Sequence, residues 1–198
     1  MNTNTSKKAM TKKEIRKLVL LKVKEGKSQQ EIFEEIKQQV RKPANEIAQL
    51  VRNIATLKNR EKYKVPHAIL VLLLSVIVLF KLVAGILMIL ENGVSWWPMV
   101  IIYPFLNILI TYGILTYKGA YFRFAIILMS LGLIGILLKL FTNSFEPIIL
   151  IDVVIGASII GLCIYLNKNM FPDFKTIKEK YSNAEGKTRL RLKITFNE

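Results

Sequence analysis

The sequence predicts an all-α membrane protein: a four-helix transmembrane bundle with a small helical cytosolic N-terminal head and a short basic C-terminal tail that holds a single β-strand. The first observation is that 52% of the residues are hydrophobic and 22% are charged, yet the two classes occupy different parts of the chain. Residues 1–64 carry 17 lysines and arginines against 7 acids, and residues 168–198 carry 8 against 4. Residues 65–167 carry only 4 against 3. An apolar middle with two basic ends indicates a chain that crosses a bilayer.

The second observation is the length of the apolar segments, each of which has at least the roughly 20 residues that a spanning helix needs. A helix of this length satisfies its own backbone N–H and C=O groups inside the hydrocarbon. The linkers ENGVS, KGA and TNSFE are short, which predicts antiparallel neighbours in an up-down-up-down bundle. The predicted spans are residues 65–90, 96–117, 121–141 and 147–167.

The third observation is the sign of the charge at the ends of these spans. Lysine and arginine are enriched in cytoplasmic flanks, and they occur in the N-terminal region, at Lys118 and Arg123, and in the tail. The other two linkers carry Glu91 and Glu146 instead. We therefore expect a multi-pass protein of the bacterial inner membrane with both termini in the cytoplasm.

Residues 1–64 are expected to form a basic cytosolic head of three short amphipathic helices. Thr11–Glu14 and Ser28–Glu31 have the form of a capping box, in which the hydroxyl and the carboxylate each bond the other's backbone amide. Gly26 suits the end of the first helix and Pro43 the break after the second. The apolar positions expected to face the core are Ile15, Leu18 and Val19, then Phe33, Ile36 and Val40, then Ile47, Leu50, Val51, Ile54 and Leu57.

The basic cytosolic tail, residues 168–198, predicts one interfacial helix at FPDFKTIKEKY and one strand at KTRLRLKITF. In the strand segment apolar side chains alternate with basic or polar ones, which is the period of a β-strand. No second strand is expected, and a lone strand leaves its backbone groups unpaired. We therefore expect either pairing with a strand of another subunit or partner, or disorder, for Arg189, Leu190, Arg191, Leu192, Lys193 and Ile194.

Charged side chains inside the predicted spans need a reason, because each costs about 2.5–3.5 kcal/mol on insertion scales. The expected intramembrane polar cluster consists of Lys81, Lys139, Asp152 and Asn107. Antiparallel packing of the first and fourth spans brings Lys81 towards Asp152, and a structural ion pair is favoured over an ion-conducting cluster. Four helices pack without a lumen, so conduction would require an oligomer.

Nothing in the sequence favours catalysis, and no enzyme is expected. The HExxH, GxSxG, P-loop and GxGxxG patterns are absent. Cys163 is the only cysteine and His67 the only histidine, so we expect no disulfide within the chain, no metal site and no other cofactor. His67, directly after Pro66, is expected to be an interfacial side chain.

The basic head has three candidate partners. Lysine and arginine beside a span attract anionic lipid, and the same charge can hold an acidic protein or the phosphates of a nucleic acid. Anionic lipid or simple solvation is favoured over a protein partner, and nucleic acid ranks last because no aromatic side chains interleave the charges for stacking on bases. The expected contact residues are Lys12, Lys13, Arg16, Lys17, Arg52, Lys58 and Arg60.

A basic three-helix head, EGKSQQEIFEEIKQQV through LKNREKYK, followed by four spans resembles a group of small bacterial membrane proteins. It also resembles the small multi-span accessory membrane proteins encoded beside type VI-B RNA-targeting CRISPR effectors. The resemblance covers most of the chain in arrangement and contains no diagnostic motif, so it assigns no role to a residue. It implies an accessory or regulatory role in bacterial defence.

Two main hypotheses about function follow. The first is a non-enzymatic accessory or regulatory protein that engages a cytosolic protein partner, or further copies of itself, through its head and tail. The second is an oligomeric ion channel or pore-forming membrane effector that uses the polar cluster. A small transporter subunit ranks last because internal repeats are not evident.

Overall fold

The computed structural model describes residues 8–93, 97–142, 147–182 and 188–196, without the side chains of residues 92, 99–103, 139–142, 147–149, 178–182 and 188–192. The described chain is mostly helical and contains a two-stranded sheet. It divides into two compact units, residues 1–61 with 168–198 and residues 62–167. The helices are α1 (Lys12–Lys24), α2 (Gln29–Gln39), α3 (Ala44–Arg52), α4 (Leu57–Lys62), α5 (Lys64–Asn92), α6 (Trp97–Leu115), α7 (Gly119–Thr142) and α8 (Pro147–Met170), and the strands are β1 (Phe174–Ser182) and β2 (Thr188–Phe196).

Local sequence signals set the ends of the first helices in the head. Thr11 Oγ1 accepts a hydrogen bond from the Glu14 N–H at 3.3 Å, while Glu14 Oε2 accepts one from the Thr11 N–H at 2.7 Å. Ser28 and Glu31 make the same exchange at 3.3 and 2.8 Å, so both predicted capping boxes are confirmed. Gly26 follows α1 at φ +80°, a conformation that glycine adopts without steric cost.

The head core is formed by the apolar faces of α1, α2 and α3. The prediction that Leu57 belongs to the stripe of the third helix was wrong, because α3 ends at Arg52. There the Asn53 side chain donates to the Gln49 carbonyl at 2.8 Å and supplies one of the missing partners at a helix end. Leu57 begins α4 and is 38% exposed. The buried core residues of the helical head are Ile15, Val19, Val23, Ile32, Phe33, Ile36, Val40, Ile47, Ala48, Leu50, Val51 and Ile54.

The tail forms a β-hairpin rather than a helix followed by a lone strand. β2 confirms the strand predicted from alternating side chains, but β1 occupies most of the segment predicted to be helical. The strands are antiparallel, with Phe174 opposite Phe196, so the expectation that the chain has no second strand was wrong. The physical reason is that β2 needs a partner for its backbone groups, and residues such as Thr176, Ile177 and Tyr181 favour a strand.

The hairpin packs onto the helical head through β2. Ile194 and Phe196 belong to the head core, and the Phe196 ring lies 5.9 Å from that of Phe33. Gln30 of α2 binds the edge of the strand. Its Nε2 donates to the Ile194 carbonyl at 3.3 Å, and its Oε1 accepts from the Phe196 N–H at 3.0 Å. Head and tail are therefore parts of one folded unit.

The second unit contains α5 to α8, and their bounds lie within three residues of the predicted spans. Three of these helices contain segments long and apolar enough to cross a membrane, Lys64–Glu91, Gly119–Leu138 and Leu150–Met170. In α6 the described apolar segment is shorter, Pro104–Leu115. The chain is thus a membrane protein by the length and composition of these helices.

Among the side chains that the structure describes, most of the buried ones in this bundle lie towards the end that holds the α6–α7 turn. Each helix turns one stripe inward there, while large apolar side chains such as Phe80, Leu131 and Val154 are exposed. Extended apolar surface of this kind is typical of a protein that meets lipid. The described residues that face inward include His67, Leu70 and Leu74 of α5, Asn107, Ile110 and Ile114 of α6, Phe122 and Ala125 of α7, and Ile159, Cys163 and Leu166 of α8.

Candidate functional site

The predicted polar residues of the membrane unit that the structure describes differ in their burial. Lys81 lies seven residues, about two helical turns, after the buried Leu74, and Asp152 lies seven residues before the buried Ile159. Asn107 is itself only 3% exposed. Lys81 is half-buried and Asp152 is exposed. Helical spacing thus puts Lys81 and Asp152 in line with the buried Leu74 and Ile159, but of the three predicted residues only Asn107 is buried.

These residues differ in height along the bundle. The rings of Tyr63 and Tyr165 lie 5.9 Å apart and so give α5 and α8 a common level. From that level Asp152 is 13 residues along α8 and Lys81 is 18 residues along α5, or about 20 and 27 Å at 1.5 Å per residue. An ion pair between Lys81 and Asp152 would therefore have to bridge a difference of about 7 Å along the bundle axis. The predicted ion pair stays a prediction. The side chain of Lys139, the fourth member of the predicted cluster, lies outside the described residues.

His67, which we expected at the membrane interface, is buried between α5 and the α6–α7 turn. It is 4% exposed, and its ring stacks on Tyr117 with the centroids 4.1 Å apart. Its Nε2 lies 2.9 Å from the carbonyl oxygen of Ile114, and because a carbonyl only accepts, Nε2 carries the proton and donates it. The same carbonyl accepts from the Tyr117 N–H at 2.8 Å. His67 therefore caps the C-terminal end of α6, where carbonyls lack partners inside the helix.

The turn between α6 and α7 is closely packed around this contact. Tyr117 adopts φ +55°, the left-handed conformation that ends many helices, although it costs a non-glycine residue roughly 1–2 kcal/mol. Gly113 lies under the ring of Tyr121, and a Cβ at Gly113 would sit 2.1 Å from Tyr121 Cγ. No sequence pattern marked this junction, since a single histidine beside a proline has no specific structural meaning.

Two acids of the head form a network with two lysines. Lys22 Nζ lies 3.1 Å from Glu25 and 3.2 Å from Glu35, and Lys27 also contacts both carboxylates. Hydrogen bonds from Lys27 and Lys22 hold the pKa of the Glu35 carboxyl below its ordinary value, and those from Lys22 and Lys27 do the same for Glu25. Elsewhere in the head Glu34 pairs with Lys37, Glu46 pairs with Lys42, and Glu14 and Glu31 serve the capping boxes.

α1 presents a contrasting surface, in which exposed cations lie beside two leucines, and the acid among them, Glu14, binds the capping residue Thr11. This α1 face consists of Lys12, Lys13, Arg16, Lys17, Leu20, Leu21 and Lys24, all of them exposed. In the described part of the chain, no carboxylate lies within 4.0 Å of any of its cations. Leu20 is 43% exposed and Leu21 57% exposed. The structure therefore gathers four of the predicted contact residues, Lys12, Lys13, Arg16 and Lys17, on one helix.

The other predicted contact residues of the head are divided between packing and solvent. Arg52 Nη2 lies 2.6 Å from Asp173 Oδ1 and joins α3 to the segment before β1. Arg60 donates from Nε to the Ala55 carbonyl at 3.1 Å, whereas Lys58 is exposed. Arg52 and Arg60 thus contribute to the internal structure of the head, and within the described residues α1 carries five exposed cations along one helix.

The predicted partner strand is already paired along one edge. Its residues lie in β2, opposite β1 of the same chain, so pairing through that edge with a strand of another subunit is excluded. Ile194 is buried in the head core and Lys193 is exposed. The side chains of the remaining predicted residues, Arg189, Leu190, Arg191 and Leu192, lie outside the described residues.

Comparison with known proteins found no matching family model, no matching curated protein and no matching solved structure. The function is therefore inferred from the residues themselves.

Proposed function

We propose that this chain is a four-span, non-enzymatic accessory protein of the bacterial inner membrane, with a cytosolic module made from both of its ends. The module binds a polyanionic partner through the α1 face and thereby holds or regulates that partner at the membrane.

The observation that carries this proposal is the packing of Ile194 and Phe196 into the core of the helical head. The chain leaves the head before α5 and returns to it after α8, so the segments that precede and follow the bundle in the sequence fold into one unit. Segments that fold together lie on the same face of a membrane, and this supports an even number of crossings. Three helices have spanning segments, and the 19 residues of α6 come close to the roughly 20 that a fourth crossing needs.

The charge of the module supports the rest of the proposal. Its positive sign suits the cytoplasmic side of an inner membrane. Among the described residues no carboxylate lies within 4.0 Å of the five cations of the α1 face, so their charge is available to an external polyanion. Binding by such a surface depends on salt, because ions screen exposed charges.

The test uses the full chain in phosphatidylcholine nanodiscs, which have no net charge, with polyglutamate as the probe. We expect binding that weakens as salt rises and that weakens further in the Lys13→Gln/Lys17→Gln variant. The matched control is Lys37→Gln/Lys42→Gln, which removes the same charge from positions that have acidic partners. Equal binding by the two variants would contradict the role proposed for the α1 face.

A second candidate function, an oligomeric ion channel or pore, is favoured by the presence of Lys81, Asn107 and Asp152 inside the long apolar helices. Liposome ion flux should then fall in Lys81→Ala and Asp152→Ala, and persist in Ile151→Ala, whose side chain is 58% exposed on the same helix as Asp152. Flux that is absent, or indifferent to all three changes, would remove this candidate.

The resemblance to accessory proteins of RNA-targeting CRISPR loci extends the first proposal to bacterial defence. In that setting the module would regulate an RNA-cleaving effector. Co-expression with such an effector should change RNA cleavage in cells, and the Lys13→Gln/Lys17→Gln variant should reduce that change. Cleavage that ignores the presence of this chain would argue against the defence role.

A further inference from the structure

We infer that the polyanion bound by the α1 face is the anionic headgroup layer of a phospholipid bilayer. This inference rests on the proposed function, in which the α1 face binds a polyanion, and it names the class of that polyanion.

The first argument is the placement of charge on α1. Lys13, Lys17 and Lys24 follow one another at helical spacing on the side opposite the buried Ile15 and Val19. Outside the α1 face several lysines of the described head pair with carboxylates within 4.0 Å, whereas the cations of the α1 face do not, and the acid beside them is Glu14. The result is a single helix that presents a basic surface to its surroundings.

The second argument is the position of Leu20 and Leu21 among these cations. Two neighbouring leucines that are 43% and 57% exposed gain nothing from contact with water. On a bilayer surface a helix of this kind lowers its apolar side chains into the boundary between headgroups and acyl chains, while its cations meet the phosphates. A bilayer surface offers anionic groups above an apolar layer, and the α1 face has cations and exposed leucines to meet both.

The third argument concerns the competing ligands. A nucleic acid would satisfy the cations but leave the leucines in water, and the α1 face offers no aromatic ring on which bases stack. An acidic protein groove could accept both features but has to be encountered in solution. The bilayer is joined to the head through α5, so its surface is present at a high effective concentration.

The expected strength follows from the number of charges. Each lysine or arginine near an anionic membrane surface contributes about a fivefold factor to binding. Replacing two lysines should therefore lower the ratio of docked to undocked α1 about 25-fold. High salt should act in the same direction, since the screening length falls from about 10 Å at 0.1 M to about 3 Å at 1 M.

The test places an environment-sensitive fluorophore on α1 of the full chain. The buried native thiol of Cys163 is replaced by alanine, and Leu21→Cys carries the label. The labelled protein is reconstituted in nanodiscs of phosphatidylcholine alone or mixed with phosphatidylglycerol. A second protein labelled at Gln49→Cys, an exposed position on α3, reports general effects of the disc.

We expect stronger and blue-shifted emission from position 21 in the discs that contain phosphatidylglycerol, reversal by salt, and no such change at position 49. Lys13→Gln/Lys17→Gln should lower the docked ratio about 25-fold, while Lys37→Gln/Lys42→Gln should leave it near the original value. Hydrogen exchange of α2 in each variant shows that the head remains folded.

Emission at position 21 that is the same in both discs would overturn the inference. If polyglutamate still binds the α1 face under those conditions, the proposed function stands and only the lipid assignment fails. A change in emission that requires added RNA or polyglutamate, and not phosphatidylglycerol, would assign the face to a macromolecular partner instead. Loss of both responses would remove the proposed function as well.

Discussion

Replacing Phe196 by alanine should open the joint between the tail and the helical head. Phe196 is 6% exposed, and its ring contacts those of Phe33 at 5.9 Å and Phe174 at 5.7 Å. Phenylalanine-to-alanine changes in cores cost about 3–5 kcal/mol. Because Phe196 lies at the end of β2 and keeps some exposure, we expect the lower end of this range, about 3 kcal/mol.

Hydrogen exchange of the full chain in nanodiscs measures this change. A loss of about 3 kcal/mol corresponds to roughly a hundredfold rise in the opening of the hairpin, visible in peptides from β1 and β2. The matched control is Ile177→Ala in β1, where the side chain is 51% exposed and the expected change is below about 0.5 kcal/mol. If protection of the hairpin survives in Phe196→Ala, or falls equally in Ile177→Ala, the packing described here does not hold the tail.

Two further predictions concern single contacts. Gly113→Ala should disrupt the α6–α7 turn, because a Cβ there meets the Tyr121 ring at 2.1 Å. We expect a lower thermal midpoint of unfolding in detergent, which the double variant Gly113→Ala/Tyr121→Ala should partly restore. A midpoint of Gly113→Ala equal to that of the original chain would count against this packing. The second concerns Glu35, whose pKa is lowered by hydrogen bonds from Lys27 and Lys22. A carboxyl whose folded pKa is depressed stabilises the fold above its unfolded pKa and loses that contribution as pH falls through the folded value. The stability of the head should therefore decline below about pH 4.5, and it should decline less in Glu35→Gln. Hydrogen exchange measures this stability at each pH. Identical pH profiles for the original chain and Glu35→Gln would refute the stabilising role of the Glu35 carboxylate.

Features set by neighbouring residues could be read from the sequence. The two capping boxes depend on groups three residues apart, and they were confirmed at Thr11 and Ser28. The apolar segments are likewise local, so the predicted span bounds lie within three residues of α5 to α8. Pairing between distant segments was not predictable in the same way. The β1 segment has lysines at positions 175 and 178, one odd and one even, so its sequence lacks the alternation typical of a half-buried strand.

The candidate site also combines features that the sequence predicts with features that only the tertiary structure shows. The sequence identified Lys12, Lys13, Arg16 and Lys17 as expected contact residues, and the structure adds that no described carboxylate lies within 4.0 Å of them. The roles of Arg52 and Arg60 were missed because their partners, Asp173 and the Ala55 carbonyl, are brought close only by tertiary packing. The burial of His67 was missed for the same reason, since it depends on a turn nearly fifty residues away in sequence.

Labelling of single cysteines in intact and permeabilised cells tests the membrane arrangement most directly. In a Cys163→Ala background, Lys13→Cys reports on the head, Ile177→Cys on the tail and Glu91→Cys on the outer end of α5, all at exposed positions. An impermeant maleimide should reach position 91 in intact cells, and positions 13 and 177 only after the membrane is opened. If positions 13 and 177 react from opposite sides of the membrane, the head and tail do not form one unit and the four-span arrangement is wrong.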